Sequence, residues 1–220
     1  MSEIKVNSVV NSTGDNDSGM DLSTNDQIIL KTANTTAVTV NSSQNTTLAG
    51  NLVIPNAGTI GSASDTDAMA ISSAGIVTKS AHPAFFATGG ENDWRDNIAV
   101  NTNIVLDHTN HNQGNHYNTT TGKFTAPING VYSFQFGAYV KNGSGTALLI
   151  ARLNDVNINF SNPAYPAVSC YTQDADTNDE VIGMSWTYYM TANQTMSVAS
   201  GDAGTDYFAS MTWFSGFLVG

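Results

Sequence analysis

Only one cysteine, Cys170, occurs in the 220 residues. That excludes an intramolecular disulfide and leaves the core to stand on burial alone. Charge is scarce too: Asp, Glu, Lys and Arg make up 11% of the chain, and only seven residues are basic against eighteen acidic. The resulting formal net charge of −11 repels phosphate backbones and excludes nucleic acid as an expected partner. It also repels anionic glycans unless divalent cations bridge the contact. No stretch reaches the roughly 18 apolar residues that span a membrane, so no insertion is expected. The opening residues Met1-Ser2-Glu3-Ile4-Lys5-Val6 lack the apolar run of a signal peptide, which predicts synthesis and folding in a reducing cytoplasm. No convincing helical hydrophobic period appears. Catalytic signatures are missing as well: there is no Gly-x-Ser-x-Gly elbow, His-Glu-x-x-His pair, phosphate-binding loop or paired-cysteine motif. The scattered carboxylates designate no glycosidase pair, so no enzyme is expected.

What fills the chain is Asn, Thr, Ser and Gly between apolar positions, a mixture usual for neutral, β-rich extracellular or particle surfaces. Residues 1–20 are polar, with Ile4, Val6, Val9 and Val10 as their branched apolar grip. Such a segment cannot offset its ordering entropy alone. It is therefore expected to dock on a larger assembly through Ile4, Val6 and Val9.

Residues 21–80 read as short strands between Asn/Ser/Thr/Gly turns. Ile28 and Leu30 alternate with Gln27, Ile29 and Lys31, and Val38 and Val40 alternate with Thr39 and Asn41. Leu52 and Ile54 suggest a strand that Pro55 stops, and Met69 with Ile71 another. Each strand has too few apolar side chains for a free-standing sheet. Three identical chains around one axis would bury these stripes against each other.

Residues 81–220 read as about ten strands. Alternation is clearest in Tyr132/Phe134/Phe136 and in Ile182/Met184/Trp186/Tyr188/Met190. Two packed antiparallel sheets in jelly-roll topology follow from the strand count. The run Phe214-Ser215-Gly216-Phe217-Leu218 closes the sequence and is expected in the middle of a sheet, with both phenylalanines and the leucine buried.

Tyr117-Asn118, Thr121-Gly122-Lys123-Phe124, Ala126-Pro127, Gly130, Tyr132 and Phe134, closed by Phe214-Ser215-Gly216-Phe217-Leu218, make residues 81–220 resemble the C1q/TNF-like globular head. The resemblance implies a tight homotrimer with aromatic and aliphatic residues of one sheet meeting at the threefold axis. Phe124, Tyr132, Phe134, Tyr188, Trp213 and Phe217 are the candidates for the seam or the core; periodicity leaves the choice between these roles open. The Thr32–Ser43 stretch resembles the β-rich shafts of phage tail fibres. The expected architecture is all-β: a docking segment (1–20), a short β-rich trimeric shaft (21–80) and a C1q-like jelly-roll head (81–220).

Three groups of residues are candidates for chemistry. Asp107 to His116 holds His108, His111 and His116, whose imidazoles suit a transition metal. Their spacing matches neither a strand face nor a helical pair, and the stretch is expected as a polar loop. The acidic run with Asp174, Asp176 and Asp179 has oxygens for calcium but lacks an EF-hand's glycine and terminal glutamate spacing; a solvated loop is the simpler reading. Trp94, Tyr165, Tyr171 and Tyr207, with Asn154, Asp155, Asn157 and Asn162, supply rings and amides of the kind that read a sugar.

The reading is a trimeric, fibre-like structural protein of a tailed bacteriophage, with no cofactor unless calcium is bound. Its N-terminus docks on other virion proteins, and its head contacts a host glycan or protein or a neighbouring virion component. Release follows particle assembly and lysis. A capsid-decorating protein or head fibre is the alternative, and a bacterial C1q-like lectin a second one.

Overall fold

Short runs of β-branched and aromatic residues between Asn, Gly and Ser turns become strands, and the only helical turn among the described residues is the 3-10 turn Ala209–Met211. The computed structural model describes residues 6–10, 18–24, 27–142, 146–158, 168–173 and 179–220. No helix among them is long and apolar enough to cross a membrane.

The chain divides into two compact units, Met1–Thr59 with Ile71–Val77, and Ile60–Ala70 with Thr78–Gly220. In the first, β1 (Ser8–Val10), β2 (Gly19–Asp21), β3 (Ile28–Thr32), β4 (Thr35–Val40) and β5 (Thr46–Leu48) pair in sequence order as an antiparallel meander. Pairing of β1 with β2 joins Ser8–Val10 to the sheet that contains β3 to β5. Leu52 and Ile54 form no strand, and Leu52 and Val53 stay exposed. Three short strands, β6 (Thr59–Ile60), β7 (Met69–Ile71) and β8 (Val77–Thr78), form a small sheet of their own.

The second unit opens with β9 (Ala84–Thr88), β10 (Trp94–Ile98), β11 (His108–Gln113), β12 (Tyr117–Asn118) and β13 (Lys123–Thr125). Next come β14 (Gly130–Asn142), β15 (Ala147–Leu153), β16 (Val156–Asn157), β17 (Ser169–Thr172) and β18 (Glu180–Met190). It ends with β19 (Thr195–Ser200), β20 (Thr205–Phe208) and β21 (Trp213–Leu218). One sheet runs β10-β20-β14-β21-β9-β11, with β18 also paired to β14; the other runs β12-β13-β19-β15-β16, with β17 on β15. Together they make the jelly-roll-like, all-β sandwich expected from the sequence.

Period-two alternation decides which side chains enter it. Along β18 every other residue from Ile182 to Met190 points inward, and Val181, Gly183, Ser185, Thr187 and Tyr189 point out. Phe85, Phe124, Phe134 and Phe214 meet at the centre: Phe85 stacks on Phe124 at 5.2 Å and meets Phe214 edge-on at 5.0 Å. Each such ring contributes about 1.5–3 kcal/mol through burial. The buried Tyr132 hydroxyl donates to the Ile128 carbonyl at 2.9 Å, which satisfies that group. Cys170 faces this core, and burial pushes its thiol up to about 12, so it stays protonated at neutral pH.

β21 lies between β14 and β9, as its aromatic content demanded. Val219 and Gly220 bond across to Val131, and the Leu218 amide donates to the Pro83 carbonyl, so the last residues are held on both sides.

Candidate assembly and binding surfaces

Cross-strand register builds one unusual face on the outside of the seven-stranded sheet. Thr187, Ser133, Phe217 and Ala84 stand in one row across β18, β14, β21 and β9. Ser185, Gln135, Ser215 and Phe86 form the next, and Gly183, Gly137, Trp213 and Thr88 the one beyond. Tyr189 and Val131 pair at one end of the face. None of these residues is charged, in a chain whose net charge is −11. Several are large and open: Tyr189 is 58% exposed, Phe217 45% and Val131 37%. Trp213 stacks on Phe86 at 6.0 Å. The indole fits because Gly137 stands opposite it; a Cβ there would lie 2.7 Å from Trp213 Nε1.

This register separates the six aromatic candidates. Phe124, Tyr132 and Phe134 lie wholly inside the sandwich, and Tyr188 packs against that core from its margin. Trp213 and Phe217 belong to the outer face. Phe217 was expected to be enclosed; instead, Phe214 and Leu218 carry the burial of this strand. The cause is the pleat, which sends residues 214, 216 and 218 inward and 213, 215 and 217 outward.

The histidine stretch is a strand, contrary to the expected loop. β11 pairs with β9 as the last strand of its sheet, with a register shift between Thr109 and His111. The Asn112 side chain brackets Tyr117, donating to its carbonyl at 2.8 Å and accepting from its amide at 3.0 Å. Gly114 and Asn115 turn the chain between them at φ of 78° and 58°. His108 and His111 are exposed, while His116 meets the Phe124 ring edge-on and its partial burial lowers its affinity for a proton. No three His, Cys, Asp or Glu side chains among the described residues come together as a metal site.

Asp174 and Asp176 lie outside the described residues. Asp179 accepts a hydrogen bond from the Tyr139 hydroxyl at 3.0 Å, which raises the phenol's pKa. Of the docking candidates, Val6 is exposed, Val9 lies in β1, and Ile4 is outside the described residues.

The ring-and-amide group does not converge either. Tyr207, a candidate for stacking on a sugar, is a core residue of β20 whose hydroxyl donates to the Val105 carbonyl at 3.1 Å. Trp94 is occupied: Lys141 Nζ lies 4.0 Å from the ring centroid, Tyr139 stacks at 5.6 Å and Phe208 meets it edge-on. Asn154 and Asp155, at φ of 50° and 65°, form the turn between β15 and β16. The Asn154 side chain accepts from the Thr195 amide at 2.8 Å, and Asp155 pairs with Lys123 at 2.6 Å. Asn157 pairs in register with Arg152. Tyr171 alone is an open ring, on β17, while Asn162 and Tyr165 lie outside the described residues.

Sequence reasoning missed Val131 and Tyr189 as surface residues. The signal was present in the alternation that placed Tyr132 and Tyr188 inside, since their neighbours must then face out.

A family model described as the C1q domain matches residues 84–219. Among solved structures, Eiger TNF from S. frugiperda is similar at 9% identity, over 63% of this chain and 93% of that one, with a TM-score of 0.51. The globular domain of the zebrafish complement 1qA protein is similar at 17% identity, over 63% and 98%, with a TM-score of 0.48. Murine APRIL, at 7% identity, covers 63% and 99% with a TM-score of 0.46.

Proposed function

This chain belongs to the C1q-domain family, and from that premise we propose a homotrimeric, non-catalytic binding protein that forms a fibre-like appendage of a tailed bacteriophage particle. The observation that carries the trimer is the uncharged patch that β18, β14, β21 and β9 present on the outside of the seven-stranded sheet. Tyr189, Val131 and Phe217 there leave apolar surface in water, while the Ser, Thr and Gly residues around them allow close approach. Three copies meeting on this face would remove that area from water at about 25 cal/mol per Å², with no charge to desolvate. The rest of the head surface then remains free for a partner.

Support for the virion lies in the N-terminal part, a thin β-meander rich in Thr, Ser and Asn, similar in composition to a fibre shaft. The proposed mechanism is multivalent adhesion. Three head sites per fibre, and several fibres per particle, turn weak contacts with a host-surface glycan or protein into durable attachment.

Sedimentation of the intact protein tests the assembly: three chains are expected, and a monomer at micromolar concentration would sink it. Purified particles test the setting, because a virion protein must co-purify with them. Labelling on the tail supports host adhesion, whereas labelling on the shell reassigns the protein to capsid decoration.

A further inference from the structure

The meander of the first unit has two unlike faces. Val9 pairs with Met20, Met20 with Leu30, Leu30 with Val38, and Val38 with Leu48. Residues paired in register share a face, so five aliphatic side chains form one unbroken row across all five strands. A second pair, Ile28 and Val40, stands two residues along on the same face. Beside it an open concavity of about 620 Å³ lies among Leu22, Ile28 and Val40 and the polar Thr24, Gln27, Asn41 and Ser42. The other face carries Ser8, Asp21, Ile29, Thr39 and Thr47 in a matching row. The only two charges in these strands, Asp21 and Lys31, both stand there and bond to each other at 2.6 Å.

Along β3 the apolar face is the more open one: Leu30 is 41% exposed, while Ile29 and Lys31 beside it are more covered. Val9 is 56% exposed, and Met20 and Val38 are half-buried. None of the described residues of this unit reaches full burial; every apolar residue of the aromatic core lies at or after Phe85. A sheet with one apolar face must bury that face against another layer, and no described residue of this unit covers it. The row must therefore be covered whenever the unit folds. Its cover needs no charge, since the face offers none, and an equally aliphatic, neutral surface complements it best. The same row on another copy of the chain has that character and is present at every folding event.

We propose that the Val9–Met20–Leu30–Val38–Leu48 row is the seam along which the N-terminal units of neighbouring chains pack in the assembled protein. This deepens the trimer reading and rests on it: a head that trimerises holds three such rows at high effective concentration. The polar row with Asp21 and Lys31 then faces solvent.

The test uses the full chain with Cys170→Ser as background. Leu30→Cys is added in one variant and Thr47→Cys, exposed on the opposite face, in a second. After mild oxidation, denaturing gels should show a disulfide-linked two-chain band for Leu30→Cys and none for Thr47→Cys. Sedimentation of the same samples before oxidation separates the two readings. A trimer in which Leu30→Cys links no better than Thr47→Cys overturns the seam alone. A monomer overturns the trimer reading and the seam with it.

Discussion

Gly216 lies flat against the ring of Phe134: a Cβ on the glycine would come 2.5 Å from Cδ1 of that ring and 2.8 Å from Cε1 of Phe85. Both phenylalanines are buried, and Gly216 is their partner in register on either side. The ring of Phe134 is also held by Trp186 at 5.5 Å and Phe214 at 5.9 Å, so it has no free direction to move. Gly216→Ala should overpack the core and cost about 1–3 kcal/mol. Thermal unfolding checks it, and an unchanged melting temperature would mean the rings yield.

Phe214 and Phe217, three residues apart on β21, should respond differently. Phe214→Ala opens a cavity in the sandwich and should cost about 3–5 kcal/mol. Phe217→Asp leaves the inner packing alone but places a charge on the neutral outer face. It should shift the protein from trimer toward monomer while circular dichroism stays β-rich. If Phe217→Asp sediments like the parent protein, the trimer meets on another surface.

Much of the head was legible because burial there follows a strict alternation. Tyr132, Phe134 and Phe136 declared the inner face of β14, and Met190, Trp186 and Ile182 declared the same face of its neighbour β18. β11 was hidden because His-Thr-Asn-His-Asn-Gln has no apolar alternation; it pairs as the last strand of its sheet, where backbone hydrogen bonding to β9 suffices. Leu52 and Ile54 misled for the opposite reason, offering the pattern of a strand without a partner to pair with among the described residues. The positions of Asn154 and Asp155 could be read as turn chemistry, but their bonds to Thr195 and Lys123, some 30–40 residues away, arise only from the fold.

Acid should weaken one tie between β13 and the β15–β16 turn. Lys123 Nζ lies 2.6 Å from Asp155 Oδ2, and this hydrogen-bonded ammonium holds the carboxyl below its usual range. A depressed folded-state value means stabilisation that is present above the unfolded value, about pH 4, and is lost as pH falls through the folded one. The melting temperature of the parent chain should therefore exceed that of Asp155→Asn at neutral pH, and the gap should narrow below pH 4. A gap that stays constant into acid would show that the turn geometry, not the charge pair, is what the substitution disturbs.

Removing the first 80 residues gives the sharpest division of labour. Every buried apolar side chain among the described residues lies at or after Pro83, and the sandwich draws all its strands from Ala84 onward. Residues 81–220 should therefore fold and trimerise alone, with the uncharged face as their seam. Residues 1–80 alone should be poorly ordered, because exposed aliphatics such as Val9, Leu30 and Leu48 cannot offset backbone entropy without neighbouring chains held beside them. Circular dichroism and sedimentation of both fragments check these outcomes. On the proposed virion reading, the head fragment added to particles lacking the protein should fail to attach, since the proposed docking residues 1–20 are gone. A head fragment that decorates particles as well as the full chain would reverse the polarity, making the head the docking element and the meander the free end.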